Sequence, residues 1–235
     1  MNEVLDFFIE PYKTASAFNI ILEFIAASFG VISVIFAKKE NILVYPTGII
    51  STGIYVYLLS QWNLYGDLII NIYYTLMSIF GWYMWSKIDS NKNHILISRT
   101  SFADKFKAVG IFLFTSVFVI IVYRHYNVMP KELGLVDNIN YAYSHLTSGS
   151  LTDFRNATPF LDTFTTGVFF SAMWLMALKK IENWTLWILG NIVSIPLYFV
   201  KGYGFTGIQY LIFLILAIQA YNRWKIALNN NQQTV

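Results

Sequence analysis

Seven stretches of 17 to 19 predominantly apolar residues, each closed by charge, Gly, Pro or Asn, occupy residues 19–37, 42–59, 68–85, 106–123, 160–178, 184–200 and 206–224. A helix needs about 20 such residues to cross a bilayer core of about 30 Å. None of the stretches shows the sustained alternation of a barrel strand, so helices are the spanning solution that remains for this backbone. Composition agrees: 56% of the chain is hydrophobic and mean hydropathy is +0.52, too apolar for a solvated surface. Only 12% is charged against 18% aromatic, the balance of apolar spans tethered by interfacial Trp and Tyr. The chain is therefore read as an all-α membrane protein of seven spans.

Connections are short except for residues 124–159, which carry Pro130, Pro159 and a polar run through Thr147, Ser148, Gly149 and Ser150. This is an exterior loop with room for a short surface helix, and no chemistry is assigned to it. Lys38, Lys39, Lys87, Lys92, Arg99, Lys105, Lys107, Lys179, Lys180, Arg223 and Lys225 follow odd-numbered spans, against Lys13, Arg124, Lys131, Arg155 and Lys201 opposite. Because basic loops stay cytoplasmic, the N-terminus is expected outside and the C-terminus in the cytoplasm. Residues 1–18, with Glu3, Asp6, Glu10 and Lys13, lack the basic start and cleavage site of a signal peptide and read as a retained lead-in.

The chain also repeats. Lys38-Lys39-Glu40-Asn41 before the second span is echoed by Lys179-Lys180-Ile181-Glu182-Asn183 before the sixth, and Trp85-Ser86-Lys87 by Trp224-Lys225. Tyr45 and Gly48 then fall opposite Trp187 and Gly190, at a spacing of about 140. Four spans lie within one repeat length, an even number, so the copies are parallel. The organisation expected is a lead-in at 1–18, a three-helix bundle at 19–85, a cytoplasmic loop and linker helix at 86–123, the exterior loop at 124–159, a second bundle at 160–225 and a cytoplasmic tail at 226–235, in short 3+1+3.

Enzyme signatures are missing: no Walker A, HExxH or GxSxG pattern occurs, and no span carries paired carboxylates. Without cysteine there are no disulfides or thiolate sites, and His94, His125 and His145 lack ligand spacing, so neither cofactor nor metal is expected. A net charge of +3, scattered over loops, gives no face for nucleic acid. Polar side chains inside spans carry the information instead, because each is costly in hydrocarbon unless it faces the bundle interior, a partner or a water-filled path. Glu23, Asn71 and Gln209 lie toward the outer face, Ser51, Ser78 and Asn191 near mid-depth and Gln219 toward the inside. They come from five spans, so two facing bundles could line one polar route for a small solute.

The densest constellation is Asn183-Trp184 followed by Trp187 and Asn191. Trp187 and Asn191, four apart, share a helix face. An indole with an amide one turn deeper can stack a flat ring and hydrogen-bond its substituents, and a cationic ring gains most, by about 0.5–2 kcal/mol. Trp184 opens its span, where an aromatic belt is also expected. Tyr73, Tyr74 and Asn71 add ring faces and an amide on the third span, Asp67 caps it, and Pro196 supplies a hinge in the sixth.

The run Ile181-Glu182-Asn183-Trp184-Thr185-Leu186-Trp187-Ile188-Leu189-Gly190-Asn191-Ile192-Val193-Ser194 resembles the PnuC family of vitamin-precursor transporters. Leu64-Tyr65-Gly66, Asn71, Ile79-Phe80-Gly81-Trp82-Tyr83-Met84-Trp85, Glu23 and Pro159-Phe160-Leu161-Asp162 fit as well, and the likeness extends from Glu23 to Trp224. It implies a fold related to SWEET sugar transporters and facilitated diffusion of nicotinamide riboside across a bacterial inner membrane. It further implies trapping by a cytoplasmic kinase and a homotrimer with one pathway per subunit. Carried onto this chain, Trp184, Trp187, Asn191, Asn71 and Gln209 become the substrate contacts, beside Tyr74, Ser51 and Glu23. Asn71 stands where Gln is expected in nicotinamide riboside carriers and Ser51 where Asn is expected, which keeps thiamine, another flat cation, and riboflavin as alternatives. A membrane interaction subunit without transport is the competing class.

Overall fold

The computed structural model describes residues 16–61, 65–87 and 95–233. Most of the lead-in, the tip of the connection after the second helix, His94 with the middle of the 86–105 loop, and the last two residues lie outside them. Among the described residues there are eight helices and no strand: α1 Ala17–Lys38, α2 Val44–Gln61, α3 Tyr65–Ser86, α4 Phe102–His125, α5 Leu135–Thr147, α6 Leu151–Ala177, α7 Glu182–Val200 and α8 Gly204–Gln233. Each of the seven apolar stretches falls on one of the long helices. By length and hydropathy alone α1, α4, α6, α7 and α8 are able to cross a membrane. The helices α2 and α3 are diluted by Tyr, Thr, Ser and Gly, whose side chains contribute little hydropathy.

Local chemistry sets the boundaries. Ser16 accepts from the Asn19 N–H at 3.2 Å to start α1, and Ser101 and Asp104 form a reciprocal capping box at the start of α4. The loop expected to run to Pro159 is shorter than that: α5 forms inside it, and α6 begins at Leu151, so Pro159 sits within a helix. Proline has no N–H to offer the Arg155 carbonyl, and the hydroxyl of Thr158 donates to that carbonyl instead, at 2.8 Å. Close approach of α4 and α6 depends on Gly167, where a Cβ would lie 2.7 Å from the Phe112 ring.

Six helices form a closed ring. In order round it, α1 packs on α2, α2 on α3, α3 on α6, α6 on α7, α7 on α8, and α8 returns to α1. Outside the ring α4 and α5 both rest on α6, which is accordingly the most buried helix. At one end, here the basic end because Lys38, Lys179 and Arg223 lie there, a layer of Tyr45, Trp85, Trp184 and Trp224 fills the ring, each at most 3% exposed. Burying such large rings supplies several kcal/mol.

The turns at that end repeat bond for bond. Glu40 N–H donates to Ala37, Asn41 to Phe36 and Tyr45 to Ile42; Lys179 donates to Met176, Lys180 to Leu175 and Trp184 to Ile181. Glu40 and Lys179 both take positive φ, 56° and 50°. Every member of the second set lies 139 positions after its counterpart, as 179 follows 40 and 184 follows 45. Tyr45 therefore corresponds to Trp184 and Gly48 to Trp187. The alignment by aromatic residues, which set Tyr45 against Trp187, is out by three residues because it matched one ring to the wrong neighbour on the same helix face.

Candidate functional site

The face of α7 that carries Trp184 also carries Trp187, Asn191 and Ser194, spaced three, four and three apart, one turn above another. Asn191 and Ser194 are 2% and 0% exposed. The indole N–H of Trp187 and the hydroxyl of Ser194 are buried without a hydrogen-bond partner. Such orphaned groups each cost about 1–3 kcal/mol, and they are natural contacts for a bound polar solute.

Around Trp187 the ring interior is lined with aromatic faces. Phe169 of α6 stacks on it at 5.2 Å and 28°, Tyr210 of α8 lies parallel to Phe169 at 6.0 Å, and Tyr198 stacks on Tyr210 at 4.9 Å. On the other side Tyr74 of α3 approaches Trp187 at 6.4 Å, and Tyr73 stacks on Phe170 at 3.6 Å while its hydroxyl donates to the Phe170 carbonyl. Phe169 can lie there because residue 190 is glycine: a Cβ on it would fall 2.1 Å from the ring. Tyr74, Trp187, Tyr198 and Tyr210 are each part-buried, so the cluster keeps some accessible aromatic surface.

Of the residues singled out from sequence, the structure brings Trp187 to Tyr74, with Asn191 on the same face of α7. It also gathers Ser51 and Gln209 about Gly30: a Cβ there would be 3.1 Å from Ser51 Oγ and 3.8 Å from Gln209 Nε2. Phe213 borders the same place and meets Tyr210 edge to face at 6.2 Å, joining it to the aromatic lining. Trp184 lies apart in the basic-end layer, edge-on to Trp224 at 5.5 Å. Asn71 turns its amide N–H back to the Asp67 carbonyl at 2.9 Å. Glu23 is part-buried on α1 and has an interaction partner. Gln219 lies exposed at the basic end, accepting from Lys38 at 2.9 Å.

Sequence reasoning missed Ser194, Phe169, Tyr198 and Tyr210. Ser194 was within reach, ten positions after Trp184 on the same stripe. Phe169 and Tyr210 offered no signal of their own, since an aromatic within an apolar span looks the same facing lipid or facing the interior.

Both ends of the ring carry charge. Opposite the basic end, Lys201 between α7 and α8 pairs with Asp162 of α6. At the basic end Lys179 lies over the Trp85 ring at 4.5 Å, and burial pushes its ammonium below the ordinary lysine value while Glu40 opposes the shift. Residues 98–104 dock there: Ser98 exchanges backbone hydrogen bonds with Lys179 and Ile181, and Lys180 reaches Asp104 at 3.2 Å. Among the described residues no three His, Asp or Glu side chains gather as a metal site requires.

The chain matches the family model described as nicotinamide mononucleotide transporter over residues 20–226. It is 28% identical over 207 residues to the nicotinamide riboside transporter PnuC of Neisseria mucosa, covering 85% of this chain and 70% of that one. To the protein of the same name from Escherichia coli it is 24% identical over 209 residues, covering 86% and 84%. The crystal structure of a vitamin B3 transporter PnuC superposes with a TM-score of 0.61 at 24% identity, covering 89% of this chain and 82% of that chain, a likeness of fold.

Proposed function

The chain belongs to the nicotinamide mononucleotide transporter family, a family of multi-pass membrane transporters and not of enzymes, and from that premise we propose that it carries nicotinamide riboside by facilitated diffusion. The observation that carries the reading is the stripe on α7. Trp187 offers an indole face and an unpaired N–H, and Asn191 and Ser194 offer polar groups one and two turns deeper. A pyridinium ring gains from the indole face, and a ribose brings the hydroxyls that buried orphan groups lack.

The proposed architecture is seven spans in a 3+1+3 parallel repeat of the SWEET kind, α1–α3 and α6–α8 forming the copies and α4 the linker. The recurrence of turn hydrogen bonds 139 positions apart supports it. The basic end is taken as cytoplasmic, following its lysines, which puts the N-terminus outside. Rocking of the copies about the aromatic lining would expose it to each side in turn. Capture of the product by a cytoplasmic kinase would make uptake one-way, and assembly as a homotrimer with one route per subunit completes the proposal.

The test is uptake of labelled nicotinamide riboside into proteoliposomes, with thiamine and riboflavin as competitors. Saturable uptake without an ion gradient, blocked by unlabelled riboside and not by thiamine, is expected. No uptake, together with no shift in thermal stability on adding any of the three, would remove the reading.

A further inference from the structure

The helix α5 joins α4 to α6 at the end opposite the basic one, and the transport reading gives it no part. Going round its axis, the side chains fall into three groups. Asn138, Tyr141, Ala142 and His145 turn inward: Asn138 is buried, and Tyr141 stacks on His145 at 3.9 Å and meets the Phe160 ring of α6 at 5.6 Å. Asp137, Asn140, Ser144 and Thr147 form an exposed polar strip. Val136, Ile139, Tyr143 and Leu146 form the third group, three and four positions apart as one helical stripe requires. Val136 is 69% exposed, Ile139 68%, Tyr143 70% and Leu146 37%. A helix that only shielded α6 from water would be polar over the whole of its outward surface. This one divides that surface into a polar strip and an apolar one.

Two contacts set the depth of α5 along the spans. Phe160, against Tyr141, is the first residue of the apolar stretch 160–178. The guanidinium of Arg124, the residue directly after the apolar stretch 106–123, donates to the Leu133 carbonyl just before α5. Both neighbouring spans therefore reach their polar ends beside α5, the level at which hydrocarbon gives way to headgroups and water. The last turns of α4 expose Phe118 and Ile121, so apolar surface extends up to that level. A helix placed there with one apolar and one polar outward strip satisfies both sides of the boundary, and tyrosine is a ring that such a boundary favours.

We propose that α5 is an interfacial helix. Its strip of Val136, Ile139, Tyr143 and Leu146 rests on the lipid of the leaflet at that end, and its strip of Asp137, Asn140, Ser144 and Thr147 faces water. The partner is the bilayer itself, and with no charge on the apolar strip the contact does not select a headgroup. Because α3, α4 and α7 all pack on α6, α5 ties the helix at the centre of the packing to the membrane surface.

The chain has no cysteine, so single cysteines report position by position. Ile139→Cys and Tyr143→Cys on one strip, and Asn140→Cys and Ser144→Cys on the other, are each labelled with the environment-sensitive fluorophore NBD. The full chain is placed in phosphatidylcholine nanodiscs, where both faces of the bilayer are open to solvent. Lipid carrying a nitroxide shallow in its acyl chain is expected to quench the labels at 139 and 143 several-fold more than those at 140 and 144, and iodide to do the reverse. All four positions are exposed, so the thermal midpoints should stay near that of the wild type, and two positions on each strip keep the comparison if one variant is unstable. Labels at 139 and 143 that iodide quenches as strongly as those at 140 and 144 would place the strip in water and overturn the proposal. Labels there that neither quencher reaches would overturn it in favour of a second copy of the chain covering the strip. No substrate takes part, so either outcome leaves the riboside reading to its own test.

Discussion

The indole N–H of Trp224 donates to the carbonyl of Ala37 at 3.0 Å, and the chain makes the reciprocal bond with the halves exchanged: Trp85 donates to Met176 at 3.2 Å, 224 following 85 and 176 following 37 by the same 139 positions. One bond closes the α8–α1 seam and the other the α3–α6 seam, the two places where the halves of the ring meet. Both bonds lie at the basic end.

These paired bonds are expected to hold that end shut. Trp85→Phe and Trp224→Phe each keep a ring and lose the donor, at about 0.5–1.5 kcal/mol apiece. Each should lower the thermal midpoint by a similar, small amount. With no native cysteine in the chain, Ala217→Cys, which replaces a residue 1% exposed in the same layer, gives a clean reporter. Its maleimide labelling should rise in either variant, and unchanged labelling in both would show that the bonds play no part in closure.

Trp184 and Trp187 are expected to separate by readout. Trp184 is 2% exposed and packs on Trp224, so Trp184→Ala should cost about 3–5 kcal/mol of stability. Trp187 is only part-buried, so Trp187→Leu should weaken a cationic ring ligand by the cation–π share, about 2- to 30-fold, with a smaller change in midpoint than Trp184→Ala. Calorimetric affinity and unfolding measured on the same samples decide it, and the opposite pattern would put the ligand against Trp184.

Gly190→Ala brings a methyl 2.1 Å from the Phe169 ring, which is already stacked on Trp187. Overpacking of this kind costs about 1–3 kcal/mol. The double variant with Phe169→Ala should recover most of that loss, because the clash is with this one side chain. Additive losses in unfolding experiments would mean that Gly190 is needed for another reason.

The span pattern and the aromatic-amide stripe on α7 were legible because each depends on local chemistry: apolar length, charge at boundaries, and period along one helix. The start of α6 was not, since Pro159 reads as a breaker until Thr158 is seen to take the carbonyl it leaves free. Nor was the hydrogen bond of Asn71, whose amide N–H turns back to its own helix. The register of the repeat was off by three because sequence shows which residues are aromatic, whereas only backbone hydrogen bonds show which positions are equivalent. The lining by Phe169, Tyr198 and Tyr210 is set by ring closure, a long-range fact with no local trace.

Low pH should loosen the docked segment before α4. Asp104 is held below the ordinary carboxylate value chiefly by the Ser101 backbone N–H, then by the Ser101 hydroxyl and Lys180. A depressed carboxylate contributes stability that is present above its unfolded value, about 3.9, and lost as pH falls through the lower folded one. The midpoint of the wild-type chain should therefore drop relative to Asp104→Asn as pH is taken below about 4, and the two should differ by a constant amount above about 5. A difference independent of pH throughout would exclude Asp104 as the titrating group.

The Asp162–Lys201 pair at the opposite end should behave as a unit. The two side chains are 13% and 25% exposed, so removing one charge leaves the other poorly solvated, a larger penalty than the pair is worth. Lys201→Met is expected to lower the midpoint clearly, and Asp162→Asn in the same chain to restore much of it, because a neutral amide needs no counter-charge. Asp162→Asn alone should fall between wild type and Lys201→Met, since Lys201 lies 5.4 Å from the Tyr198 ring, which can still receive it. If the double variant is no more stable than Lys201→Met, the lysine acts through its packing and not through the carboxylate.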